Sequence, residues 1–334
     1  MHLIVVSNKS YHGDFRKYLA LAAEADGIKT AHLQIHEGFK VSWQGEEQFS
    51  ADRETPVHEV CARIMAHIGS GRGICLTGMN GFRSPAAMSV KPCLPGSFFY
   101  FDVYDDFRYG SSGKVALKWA WTDMRWRLHT DRRMVLEKSL LWRYPGALHL
   151  DNASQVQRPA PSSSPREGVV YSGSIDHRTD FDLLKAVADT GASLDMYGAV
   201  HVSCPSAEDW ISELCAAHPH VRYFGSYVND HLGEILAKYR IGLVPYKTKS
   251  PLTRHINPDK IYHYLNAGLE VVATDIPQTR RMASFLHLLN KGQTAEKILQ
   301  DANQGNKTNS WDVEANSWPQ RWKVLKNDFL RRAS

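Results

Sequence analysis

Apolar positions along the first half of the chain fall into short segments that switch between two periods. Residues 3–6 (Leu3-Ile4-Val5-Val6) are an uninterrupted apolar run, the pattern of a strand buried on both faces. Residues 15–25 carry apolar side chains at helical spacing and are closed by Gly27, 31–35 alternate like a strand, and 57–68 return to helical spacing. Residues 73–77 and 97–104 are again short, apolar and strand-like. Such alternation with short turns predicts a parallel sheet covered by helices on both faces.

The pattern breaks near Asp151. Residues 158–166 hold three prolines and three serines, too little apolar content to pack, and read as a linker. After it the alternation restarts. Strands are predicted at 168–171, 193–197, 221–224, 241–245 and 271–274. Helices are predicted at 180–188, 208–217, 230–239 (capped by Asp230) and 258–267, the last with Pro258 in its first turn and Gly268 past its end. The expected organisation is a first Rossmann-like domain over 1–150, a linker over 151–166 and a second Rossmann-like domain over 167–310. A C-terminal helix over 311–334 is expected to be able to return to the first domain. Two doubly wound α/β domains facing across a cleft place a ligand at the carboxyl ends of the strands.

Composition narrows the classes. With 43% hydrophobic and 22% charged residues over 334 positions, the chain has the balance of a globular protein rather than a disordered one. No apolar run approaches the roughly 18 residues that span a bilayer, and the start lacks the basic region of a signal peptide. Cys61, Cys75, Cys93, Cys204 and Cys215 are odd in number and lack paired spacing, so neither a disulfide scaffold nor a metal site is expected, and a reducing cytoplasm is. Net charge is +5. Between Gly113 and Pro145 eight cations face three acids, a local excess equal to the net charge of the whole chain, and four of the nine tryptophans lie there too.

Two stretches of the second half carry specific chemistry. In Tyr171-Ser172-Gly173-Ser174 a glycine-serine turn follows a strand, and such a turn exposes backbone N–H groups and a hydroxyl to an anion. In the second, Asn257-Pro258-Asp259-Lys260, a lysine sits in the first turn of a helix, where its charge opposes the dipole unless an anion binds there.

These segments, with Tyr223-Phe224-Gly225-Ser226, Gly242-Leu243-Val244-Pro245-Tyr246 and the run 257–274 in that order and spacing, resemble the nucleotide-binding half of GT-B glycosyltransferases. The nearest pattern is the bacterial exopolysaccharide group, including xanthan-type glucuronosyltransferases; the likeness covers about 169–275. It implies transfer of a sugar from a nucleotide-sugar donor, UDP-linked, to a lipid-linked oligosaccharide or polysaccharide, with the nucleotide sugar as substrate and no cofactor or metal. It also implies that Ser172, Gly173, Ser174 and Lys260 meet the diphosphate and that Arg178 belongs to the donor site. Ser226, Tyr227 and Val228 would lie beside the base, with Tyr246 and His263 completing the donor site. Retaining members carry two glutamates eight positions apart; His255 and His263 stand there here. The xanthan-type group also lacks the second glutamate and inverts.

Inversion requires a base for the acceptor hydroxyl and a cation for the departing diphosphate. Asp105 and Asp106 follow the apolar run 97–101 and are the base candidates; the sequence does not separate them. Ser10, Tyr11 and His12 are candidates for acceptor contact. The segment from Lys114 to Trp142, read as one helix with an apolar face through Val115, Trp119 and Trp126, is expected to hold the protein peripherally on an anionic membrane. Alternatives are an epimerase or hydrolase acting on a nucleotide sugar with the same fold, a single-domain transferase in which Asp102 to Asp106 hold a divalent metal, and a nucleic-acid-binding protein. The isoelectric point near 8.8 and the absence of a nucleic-acid motif count against nucleic acid as a partner.

Overall fold

The computed structural model describes residues 1–78, 85–103, 111–160 and 165–333. The chain forms two compact units, Met1–Asp151 with Trp318–Ser334, and Asn152–Ser317.

In the first unit the elements are β1 (His2–Ser7), α1 (Lys17–Ala25), β2 (Lys29–Ile35), β3 (Gly38–Trp43), β4 (Glu46–Asp52) and α2 (Val57–Ile68). They continue with β5 (Gly73–Gly78), α3 (Pro85–Cys93), β6 (Ser97–Val103), α4 (Gly113–His129), β7 (Arg132–Val135) and β8 (Leu148–His149). The sheet runs β4-β3-β2-β1-β5-β6-β7-β8. It is parallel except where β3 pairs with β2 and β4. The apolar run of β1 is buried on both faces, as a central parallel strand requires.

Three features depart from the sequence expectation. The hairpin β3–β4 extends one edge; its polar outer strand gave no buried pattern, because an edge strand needs none. Helix α3 forms although Pro92 lies inside it. The single helix expected from Lys114 to Trp142 stops at His129: Thr130 turns extended, and its hydroxyl closes the helix on the Trp126 carbonyl at 2.7 Å. The next residues pair with β6 as β7, because a strand there continues the sheet, and sheet pairing outweighs local helical spacing.

The second unit contains β9 (Val169–Ser172), α5 (Phe181–Asp189), β10 (Leu194–Tyr197), α6 (Ser206–Ala217), β11 (Val221–Tyr223), α7 (Leu232–Leu236) and β12 (Ile241–Val244). After these come α8 (Asp259–Ala267), β13 (Glu270–Thr274), α9 (Pro277–Arg281), β14 (Leu286–Leu289) and α10 (Ala295–Asn303). All six strands are parallel in the order β11-β10-β9-β12-β13-β14, so the strand order reverses between β9 and β12. Asp180 caps α5 through the Leu183 N–H at 3.1 Å, whereas Asp230 lies in a 3-10 turn ahead of the short α7, whose N-cap position is His231.

The segment expected as a linker behaves differently at its start. Asn152, Ala153, Ser154 and Val156 are buried in the second unit, where the Asn152 amide donates to the Asn257 carbonyl at 2.7 Å. Helix α11 (Trp318–Ala333) belongs to the first unit. Its Trp322 indole and Lys326 both reach Asp26, at 2.8 and 2.7 Å, and Asp328 accepts the Tyr100 hydroxyl at 2.7 Å. All five cysteines are unpaired thiols.

Candidate functional site

The reversal point of the second sheet gathers the residues that matter. Where β9 ends, Gly173 adopts φ +133°, a conformation that side chains rarely tolerate. A Cβ there would stand 2.9 Å from the Lys260 ammonium. Gly198, after β10, is equally constrained: a Cβ on it would run into the Gly173 carbonyl. The missing side chains allow the lysine to lie against the backbone of the turn.

Lys260 is only 5% exposed. Its ammonium lies 4.5 Å from the Tyr171 ring centre and 5.0 Å from that of Tyr246, with a long 3.4 Å hydrogen bond to the Tyr171 hydroxyl. Among the described residues it makes no ion pair, since its neighbour Asp259 turns to solvent with 60% of its side chain exposed. It also sits in the first turn of α8, where no side chain caps the free N–H groups. A buried cation at the positive end of a helix is costly unless an anion joins it. Aromatic faces offset part of that cost. Asp259 and Asp176 act on the surrounding phenols, but among the described residues no carboxylate pairs with Lys260.

The surroundings are phenolic. Burial pushes the hydroxyls of Tyr171, Tyr227, Tyr246 and Tyr264 upward, so all are neutral donors. Arg178 does not stand free beside them: it forks onto Asp176 through Nε and Nη2, the shortest contact being 2.6 Å. That pairing, against the opposing effect of burial, holds the Asp176 carboxyl below its usual range.

No protein-family model and no curated protein matches the chain. Solved structures do. A sucrose-phosphate synthase from Thermosynechococcus elongatus aligns over 100% of both chains at 13% identity and a TM-score of 0.67. AviGT4, a glycosyltransferase of avilamycin A biosynthesis, aligns over 100% of this chain and 98% of its own at 10% identity and a TM-score of 0.66. An α-glucosyltransferase in complex with UDP and DNA aligns over 97% and 95% at 10% identity and a TM-score of 0.59. The fold is GT-B.

Within this GT-B fold, the structure brings several of the sequence-predicted donor residues together. Ser172, Gly173, Tyr246 and Lys260 converge at the reversal point, and the Tyr227 phenol adjoins Ser172. The glycine-serine turn differs from expectation in one respect. The Ser172 N–H is spent on the Tyr264 hydroxyl at 2.7 Å and the Gly173 N–H on the Tyr197 carbonyl at 2.9 Å. Its first two amides are therefore committed internally, and what the turn contributes is space for Lys260. Nor does it open directly into a helix, since α5 starts only at Phe181. Ser226 and Val228 are exposed on the loop after β11. His263 is engaged structurally: Nδ1 meets the Ser154 hydroxyl at 2.8 Å and Nε2 faces Asp259 at 3.9 Å. Burial holds this imidazole below its ordinary pKa despite Asp259. Of the four tyrosines, Tyr227 and Tyr246 stand among the predicted donor residues; the two that sequence reasoning missed are Tyr171 and Tyr264, because strand and helix burial alone accounts for them.

In the first unit the sheet order reverses between β1 and β5. A cavity of about 20 Å³, room for one water, is lined there by Ser7, Lys9, Asp14, Arg16, Gly78 and Asp102. Arg16, Asp102, Asp14 and His32 pair among themselves. Arg16 Nε meets Asp102 at 2.5 Å, while Asp14 accepts the Arg16 N–H at 2.9 Å and faces His32 at 3.4 Å. Burial pushes Asp102 up against the opposing Arg16 charge. For Asp14, burial is outweighed by His32, Ser7 and the Arg16 N–H, which hold it low. Of the proposed acceptor contacts, Ser10 and His12 are exposed, and the Ser10 hydroxyl is taken by the Gly13 N–H at 3.3 Å. The Tyr11 ring is buried edge-on to His32, because the turn folds it inward. Asp105 and Asp106, the base candidates, lie outside the described residues.

Proposed function

We propose that the protein is a glycosyltransferase that takes a UDP-linked sugar in its second unit and passes the sugar to a lipid-linked saccharide of the exopolysaccharide type. One observation carries the reading: Lys260 is a buried cation that makes no ion pair among the described residues, set at an uncapped helix start between Tyr171 and Tyr246. A diphosphate supplies the missing anion. The GT-B likeness, and the UDP held by one of the matched glucosyltransferases, support the choice of nucleotide sugar.

In the transfer, a carboxylate takes the proton of the acceptor hydroxyl and the freed oxygen bonds to the anomeric carbon. The bond from that carbon to the phosphate oxygen breaks, and Lys260 stabilises the charge left on the departing UDP. Asp105 and Asp106 are the base candidates for this inverting route. Calorimetry of the whole protein with UDP tests the donor site: binding weakened by Lys260→Met is expected, and no binding to the wild type removes the reading.

A second reading has a specific basis. A Listeria monocytogenes protein assigned as a UDP-N-acetylglucosamine 2-epimerase shares the fold at a TM-score of 0.55 and 9% identity. The two chemistries separate on the acceptor. An epimerase converts its nucleotide sugar alone, whereas a transferase releases UDP in proportion to the saccharide supplied.

A further inference from the structure

Helix α4 carries a stripe that the fold does not cover. Leu117, Trp121, Met124 and Leu128 recur at four, three and four residues, which confines them to an arc of about 60°. They are 71%, 59%, 43% and 77% exposed. The opposite side of the helix is the packed one: Trp126, 2% exposed, lies parallel to Phe101 in the core. This reverses the sequence expectation, in which Trp126 belonged to the outer face. Trp142, 70% exposed, lines a shallow groove with Met124, Asp123, Arg127 and Arg143 and so adds a tryptophan beside the stripe.

The charges around the stripe are sorted by side. Asp123, the helix's one acid, is buried; it accepts the Tyr144 hydroxyl at 2.7 Å and pairs with Arg127 at 3.0 Å. Arg127 itself lies over the Tyr144 ring at 4.4 Å. Both are therefore spent inside the unit. Lys114, Lys118 and Arg125 flank the stripe on one side, are exposed, and make no ion pair among the described residues. The outer face thus consists of large apolar side chains and tryptophans with a basic rim that no acid among the described residues pairs.

We propose that this face of α4, with Trp142, docks onto an anionic lipid surface, the helix lying in the plane of the headgroups. Apolar side chains of this number, contiguous on one face, mark an interaction site rather than ordinary surface. Tryptophan favours the headgroup boundary, and cations near an anionic leaflet are drawn to it. A second copy of the chain fits less well, because a symmetric pairing sets the same three cations against themselves, and the helix's one acid, Asp123, is buried. With 17 residues and several charges, the helix does not cross a bilayer; it has the division into apolar and basic faces of an interfacial helix. The proposal rests on the lipid-linked acceptor reading for its purpose, that of holding the enzyme where such an acceptor lies.

The test is flotation of the full chain with phosphatidylcholine vesicles, with and without phosphatidylglycerol, at low and high salt. Expected is binding to the vesicles containing phosphatidylglycerol, weakened by salt. The variant Leu117→Gln/Trp121→Gln/Leu128→Gln should lose it. Each of Lys114→Gln, Lys118→Gln and Arg125→Gln should weaken it about fivefold. These three alter solvated side chains, so they keep the test valid should the apolar variant fail to fold. No flotation of the wild type, or equal flotation with neutral vesicles, overturns the proposal. So does a dimer that the triple Gln variant splits, or retention by DNA in place of vesicles. UDP binding measured on the same samples separates the two readings: flotation without UDP binding removes the donor site and leaves this face, and the converse removes this face alone.

Discussion

The two sheets of this molecule each reverse their strand order once, and the two reversal points are filled in opposite ways. In the first unit Arg16 pairs with Asp102 and Asp14 with His32 around a cavity that holds about one water, with Asp102 Oδ1 and His32 Nδ1 left without a hydrogen bond among the described residues. In the second, Lys260 is equally buried and, among the described residues, meets aromatic faces, a long hydroxyl contact and the Gly173 turn without an ion pair. The same topological position therefore holds paired charges in one unit and, among the described residues, an unpaired cation in the other. Removing one partner of a buried pair strands the other. An unpaired cation is tolerated where a ligand meets it, which is why a strained glycine and an uncapped helix start collect around Lys260.

That contrast can be broken by experiment. The largest effect is expected from Arg16→Met, which leaves Asp102 buried without its cation and should destabilise the protein by about 3–5 kcal/mol in denaturant unfolding. UDP affinity should be unchanged wherever the variant is folded. A mild cost would mean that Asp102 does not depend on Arg16.

Next comes pH. His2 is buried beneath Gly73, where it meets the Ser97 hydroxyl at 2.8 Å, and burial with the nearby N-terminal charge lowers its pKa from 6.5 to about 4. The folded state keeps the ring neutral while the unfolded chain takes up a proton below about pH 6.5. Stability is therefore fully present above that pH and declines as it falls toward 4. Its loss should total roughly 2–3 kcal/mol, and His2→Asn should flatten that part of the profile in urea titrations.

In the second unit Lys260→Met should weaken UDP binding about 10- to 100-fold, the worth of a charge-assisted phosphate contact. The ligand-free protein should be no less stable, because the variant removes a buried charge that makes no ion pair among the described residues. Lower ligand-free stability in thermal melts would show that Lys260 has a structural partner and would erase the contrast between the units. The smallest effect is expected from Ser154→Ala, which frees one His263 nitrogen. About 0.5–1.5 kcal/mol of stability should be lost, with little change in UDP affinity; a large loss of affinity would return His263 to the donor site.

Much of this architecture could be read from residue order. The buried runs 3–6 and 73–77 and the helical spacing of 57–68 announced parallel strands and a covering helix, because both faces of such a sheet exclude water. Lys260 was legible for a related reason, since a cation in a helix's first turn contradicts the dipole and calls for an explanation. The hairpin β3–β4 was not legible, because an edge strand needs no buried pattern. Nor was the end of α4, since the strand pairing of Arg132–Val135 with β6 is a long-range contact.

What the sequence alone determined is periodicity and local preference: two doubly wound α/β halves, the glycine-serine turn, and the late helix with its Pro start and Gly stop. Tertiary structure decided which polar groups are spent. Only packing revealed that the Ser172 and Gly173 amides are already bonded, that Arg178 is held by Asp176, and that Trp126 faces inward while Trp121 faces out. The physical reason is that helical or strand spacing defines a face, whereas burial and hydrogen-bond satisfaction depend on what other segments, distant in the chain, bring against that face.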